Sequence, residues 1–384
     1  MLTNLVIFLA GLWIALILRR VFTISRERAL LFYLWHSAFC VLYFSYSLNN
    51  VADSTLYYLD SLTYDLGPGL GTRGIYFLTS LLSGGLGLSY GGAFLVYNVF
   101  GFIGMLAFAS ALQQILATAS AFPRQVALLS VLLPGLSFWS SAIGKDALSF
   151  MAAGLAVWAA IELGRRYPAM FVSCLAMLLV RPHMAGILLV SLAFALLFFS
   201  RISAGRKIAL ATVTIPAAIM AVGFGAHFAG LGDAAKIEDV GDYFQTRQAH
   251  NLGGGSSVDI ASLSIPWRMM SYLFRPLFFD ASGVLGLVVS VENLCLIAIF
   301  GYATCMRFLG RRSPLDSCAV SFFLIYSAAS WFVLANTTAS LGIAIRQKWM
   351  FLPMMFAVAF SLMPQQRPCL SSFLPSRRDR SAGR

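Results

Sequence analysis

The sequence predicts an all-α fold: a polytopic transmembrane helical bundle of about eleven spans plus a re-entrant or interfacial helix. Three observations predict it. Of 384 residues, 59% are hydrophobic and 11% are charged, against roughly 25% charged in a soluble domain. The apolar residues fall in runs of membrane length, where a helix satisfies every backbone group within its own segment. Most of the Lys and Arg sit in short connections between those runs, where they act as topology signals.

Residues 3–18 form the first span, without a basic leader or a small-residue cleavage site, so it reads as a retained helix rather than a signal peptide. Arg19, Arg20, Arg26 and Arg28 mark the cytoplasmic turn after it, and residues 29–47 return outward. The polar loop 48–74 holds Asp53, Asp60 and Asp65 against Arg73, and should face outside. Residues 75–112 are ambiguous. Two crossings there would leave Arg124 outside and invert every later basic loop, so 91–112 reads as the span and 75–88 as a re-entrant or interfacial helix.

Spans at 125–143 and 147–163 then put Arg165 and Arg166 inside. Spans 167–180 and 184–200 hinge on Arg181-Pro182-His183, with Arg201, Arg206 and Lys207 inside. Residues 208–230 go out, 231–281 form a long outer polar segment, and 282–303 come back to Arg307, Arg311 and Arg312. Residues 316–335 go out and 349–364 return. The transmembrane domain is therefore 1–364, and the basic tail 365–384 reads as disordered and cytoplasmic. No internal repeat suggests an inverted symmetry of the transporter type.

The net charge of +12 would suggest nucleic acid in a soluble protein. Placed in short loops between spans it points instead to anionic membrane lipid, with no nucleic-acid partner. The six cysteines are scattered without paired spacing, and the four histidines (36, 183, 227, 250) are far apart, so neither disulfides, a metal site nor a cofactor is predicted.

The same parity has a chemical consequence. Lys145, Arg181, Arg275, Arg346 and Lys348 all fall on the outer side, where Lys and Arg are normally sparse, at or inside span ends. Recessed cations at lipid depth suit an anionic headgroup, Arg through bidentate contacts and Lys as a point charge. Asp60, Asp53 and His183 are the candidate bases on that side. Phe138, Trp139, Tyr57, Tyr58, Tyr64, Trp267, Tyr272 and Trp349 suit either sugar faces or interfacial anchoring. Each residue has a plainer reading. These are a capping ion pair for Lys145 and Asp146, snorkelling for Arg181, an interfacial histidine for His183, and loop carboxylates for Asp53 and Asp60. Glu292 is a charge inside a span, which marks either function or a partner on a neighbouring span.

FWSSAIGKDALSF after an apolar span, RPHMAGILL, SYLFRPLFF and RQKWMFLPMM resemble bacterial inner-membrane polysaccharide polymerases of the Wzy and EpsG kind. That resemblance implies an enzyme joining oligosaccharide units carried on undecaprenyl pyrophosphate, in company with other polysaccharide assembly proteins. It places Lys145, Arg181, Arg275 and Arg346 on the lipid pyrophosphate; the outer position of Lys348 adds it to that set. Two departures are visible: the outer loop 231–281 is short and poor in arginine for such an enzyme, and no single acid–base residue stands out. Two alternatives remain open. One is a lipid-phosphate-sugar glycosyltransferase with its carboxylate in the first outer loop. The other is a non-enzymatic flippase or assembly component, for which Glu292 is a thin supply of mid-span charge.

Overall fold

Apolar runs become helices where water is absent, because a helix pairs its own backbone groups. The computed structural model describes residues 2–63, 67–200, 263–281, 283–338 and 340–364, with scattered positions between 203 and 219. Within these residues the regular structure is helical throughout. The elements are α1 (Leu2–Val21), α2 (Arg26–Asn49), α3 (Asp53–Thr63), α4 (Thr72–Ser80), α5 (Tyr90–Ile115), α6 (Ala121–Val131), α7 (Pro134–Ser140) and α8 (Lys145–Ile161). They continue with α9 (Leu163–Val180), α10 (Pro182–Phe199), α11 (Ile265–Phe274), α12 (Gly283–Phe308), α13 (Ser317–Thr337), α14 (Leu341–Gln347) and α15 (Leu352–Ser361).

Among the described residues, 8 helical segments are long and apolar enough to cross a membrane, with α6 and α7 counted together as one. The pair formed by Leu341–Met350 and Leu352–Ser361, bent by 59°, brings the number to 9. This is fewer than the about eleven spans that apolar run length suggests, and the difference lies in two places. The run at 147–163 forms α8, which has 17 residues and is about 26 Å long, short for a bilayer core of about 30 Å. Most of the run at 208–230 lies outside the described residues, as do positions 231–262 of the long outer loop and the tail from 365.

The ambiguous stretch before α5 does not form a span. It forms the nine-residue α4 and one π-helical turn, Leu81–Gly85. The segment is held against α9 and α5. The Gly71 N–H donates to the Leu179 carbonyl at 2.8 Å, and the Thr79 and Tyr97 hydroxyls lie 2.9 Å apart.

α8 is the central element, packed along α5 on one side and α9 on the other. Small residues permit this. A Cβ added to Gly154 would lie 2.2 Å from the Gly104 carbonyl oxygen, and one added to Gly104 would lie 2.7 Å from Met151 Cα. Close backbone approach through small residues is how helices gain contact when lipid offers no hydrophobic drive between them. Phe102, Met105, Phe108, Phe150 and Val157 fill the seam and are fully or almost fully buried.

The helices alternate in direction, which sorts the loops into two ends. At the basic end, Arg28 reaches Gln113 at 3.3 Å, and Arg166 binds Gln114 at 3.0 Å and the Trp158 carbonyl at 2.8 Å. At the opposite end, Lys145 binds Thr72, Arg181 binds Asp146 and Arg346 binds Asp53.

Candidate functional site

Local sequence puts the charges at this second end. Pro182 is the first residue of α10, a position where its missing N–H costs nothing and its fixed φ fits. It forces the preceding residue out of helical geometry, so Arg181 sits at φ −147°, ψ 75° and the chain turns there. Gly144 sits at φ 156°, ψ −177°, a conformation open essentially to glycine, and starts α8 with Lys145 and Asp146 in its first turn. An aspartate there is favoured by the unsatisfied N–H groups of the helix start. Asp53 begins α3 in the same way. Asp53, Tyr57 and Asp60 follow at i, i+4 and i+7, one face of that helix.

These pieces meet in an alternating chain of charges. Arg346 Nη1 lies 2.6 Å from Asp53 Oδ2, and Arg346 Nε lies 3.9 Å from Asp146 Oδ2. Arg181 Nη2 lies 2.6 Å from Asp146 Oδ1. The chain Asp53–Arg346–Asp146–Arg181 thus joins α3, α14, α8 and the α9–α10 hinge. Lys145 adds a third cation and donates from Nζ to the Thr72 hydroxyl at 2.7 Å. The carboxylate of Asp146 is directed to two arginines, so the capping pair between Lys145 and Asp146 is replaced by longer-range partners. Three cations face two carboxylates, which leaves an excess of one positive charge.

The Arg181 and Asp146 side chains are only 9% and 18% exposed, whereas Asp53 remains 48% exposed. Among the described residues, Arg181 Nε, Arg346 Nε and the Tyr272 hydroxyl are buried without a hydrogen-bond partner. Tyr272 interacts electrostatically with Arg181 and Asp146, and Tyr43 with Arg346, Asp146 and Asp53. Buried donors left over beside an unbalanced cation are suited to an incoming anion.

Aromatic rings form the neighbouring wall. Tyr43 lies 4.7 Å from Phe138 and 5.8 Å from Trp139, and Tyr57 lies 5.4 Å from Tyr76. Burial, with Asp53 and Asp146 nearby, pushes the Tyr57 phenol above its ordinary pKa. Tyr76 interacts electrostatically with Asp60, two turns along α3 from Asp53. His183 follows Arg181 by two residues at the start of α10 and is half-buried. Tyr58 instead donates to the Leu88 carbonyl at 2.9 Å, Trp267 is 69% exposed, and Tyr64 lies outside the described residues.

Arg275 and Lys348 belong to a second group rather than to this chain. Arg275 forms a bidentate pair with Asp280 in its own turn, with Nε at 2.8 Å from Oδ2. Those hydrogen bonds raise the guanidinium and hold the Asp280 carboxyl below its usual value. Lys348 is fully buried and donates to Asn293 Oδ1, while Asn293 Nδ2 donates to the Pro276 carbonyl at 2.8 Å. Glu292, also buried, accepts from the Gly135 N–H at the start of α7 and interacts with the charge of Lys348. The mid-span carboxylate therefore has a backbone donor on Oε1 and feels the charge of Lys348, while among the described residues its Oε2 is buried without a hydrogen-bond partner.

Tyr43 was not identifiable as a site residue in sequence, and Tyr272 was named only as one of several aromatic candidates. A tyrosine within an apolar run reads the same whether it anchors at an interface or faces a charge, and only packing separates the two. No family model, curated protein or solved structure matches this chain.

Proposed function

We propose that the chain is a glycan assembly enzyme of the bacterial inner membrane, joining oligosaccharide units linked to undecaprenyl pyrophosphate at the outer face. The observation that carries this reading is the gathering of Lys145, Arg181 and Arg346 around Asp146 and Asp53 at span ends opposite the basic loops. A polyprenyl tail needs lipid and its diphosphate needs cations. A recessed cluster with leftover arginine donors and an aromatic wall offers both, with sugar rings against Tyr43, Tyr57 and Trp139.

In the reaction, a hydroxyl of one lipid-linked unit attacks the anomeric carbon of another. The bond from that carbon to the pyrophosphate oxygen breaks, and polyprenyl pyrophosphate leaves with the electron pair. Lys145, Arg181 and Arg346 would stabilise the developing charge. The hydroxyl proton passes to a carboxylate or to His183. Asp53 is best placed, being half exposed at the edge of the cluster. Arg275, paired within its own turn, is a poorer headgroup ligand than its sequence position suggests.

That exposure of Asp53 also supports a second reading, a glycosyltransferase that adds one sugar from a lipid-phosphate donor. Product analysis separates the two. Cells lacking the gene should accumulate single lipid-linked repeat units and lose the polymer ladder, and an Arg346→Ala copy should not restore it. Accumulation of a unit one sugar short would favour the second reading. An undisturbed ladder would overturn both.

A further inference from the structure

A cavity lies at the basic end, at the other end of the helices from the charge chain. It encloses about 820 Å³ between the start of α2, the end of α5 and the start of α6, within the range of small-molecule sites. Its lining changes character with depth. Ser25, Arg28, Gln113 and Arg124 surround the mouth, while Phe32, Ala109 and Val131 line the floor. On each of the three helices the lining runs over about two turns, or about 10 Å, so the polar mouth and apolar floor are in register. Among the described lining residues none is Asp or Glu.

The polar groups at the mouth are arranged for an anion. Arg124 donates to the Leu116 and Ala117 carbonyls at 3.1 and 2.7 Å, which neutralises the negative end of α5. The Arg28 side chain makes one described hydrogen bond, to Gln113 at 3.3 Å, and is exposed, so most of its five N–H donors are left for a ligand at the mouth that it lines. The N-terminus of α2, capped by Ser25, opens on the same space.

We infer that this cavity is a binding site for an anionic phospholipid of the leaflet at the basic end, its phosphate against Arg28 and an acyl segment over Phe32 and Val131. The pairing of a cationic rim with an apolar floor fits an amphiphile better than a free anion, which would leave the floor unfilled. It does not depend on the proposed activity.

The test uses the full chain reconstituted in phosphatidylcholine vesicles with a photoactivatable phosphatidylglycerol, followed by peptide mapping. Crosslinks should concentrate on α2, α5 and α6 within residues 25–32, 109–117 and 124–131. Arg28→Ala should weaken labelling there about fivefold, the factor expected for one cation near a lipid surface. Leu128→Trp, which fills the cavity, should also reduce it, and Arg311→Ala at the same end should not. Equal labelling by a phosphatidylcholine probe, or labelling spread evenly over the lipid-facing helices, would overturn the proposal. Loss of labelling on adding inorganic phosphate would assign the rim to a soluble anion and overturn the lipid as ligand.

Discussion

Arg181 and Asp146 show why single residues at this site carry opposing demands. Two charges held 2.6 Å apart with little exposure attract strongly, but each has lost most of its hydration. Removing Asp146 takes away the partner of a buried arginine, and removing Arg181 leaves Asp146 with only the longer 3.9 Å contact to Arg346, at a cost of up to about 3–5 kcal/mol. Arg181→Ala should therefore lower thermal stability in detergent, and Arg181→Ala with Asp146→Ala should recover much of the loss. A double variant as unstable as the sum of the singles would show that the two do not interact. Arg346, whose close partner Asp53 is half exposed, should behave differently. Arg346→Ala should change stability little while reducing polymer formation about a hundredfold, the scale for losing a donor to developing charge. Wild-type chain lengths in that variant would remove Arg346 from the chemistry. Sequence parity was enough to put Lys145, Arg181 and Arg346 at one end. It had no means of pairing Arg181 with Asp146 or Arg346 with Asp53, because nothing local encodes a contact between such distant positions.

At the scale of elements, the final span is the informative case. The sequence reads 336–348 as a short outer loop and 349–364 as the returning span. The chain instead breaks between α14 and α15, with a 3-10 turn at Lys348–Met350 and a bend of 59°. The break carries Lys348 to Asn293 on α12, which accepts its hydrogen bond, and within electrostatic reach of Glu292. Glu292 stood out in sequence because a carboxylate in a span demands a partner; the identity of that partner required the fold. Glu292→Gln or Lys348→Met alone should each destabilise by about 3–5 kcal/mol, and the two together should be close to neutral. Gly135→Ala should be harmful as well, since its Cβ would lie 2.4 Å from Glu292 Oε2. Unfolding of the purified protein measures all four. Full additivity of the first two would separate Glu292 from Lys348. The helices that sequence identified best, α1, α2, α5, α10, α12 and α13, are those whose apolar runs are long and bounded by charge or turn residues.

Across the whole molecule, the two ends differ in kind. One gathers the arginines of the short loops, whose role is orientation. The other holds cations that are recessed, paired and surrounded by tyrosines, which orientation does not require. The proposed activity depends on the second end facing away from the cytosol. Thr72 reports on this directly, since it is exposed and its hydroxyl accepts from Lys145. The measurement is the labelling of Thr72→Cys by a membrane-impermeant thiol reagent in intact cells, with the native cysteines replaced. Rapid labelling at 72, with an Arg311→Cys control labelled only after the membrane is opened, is the predicted result. Labelling of 311 from outside and protection of 72 would contradict the account.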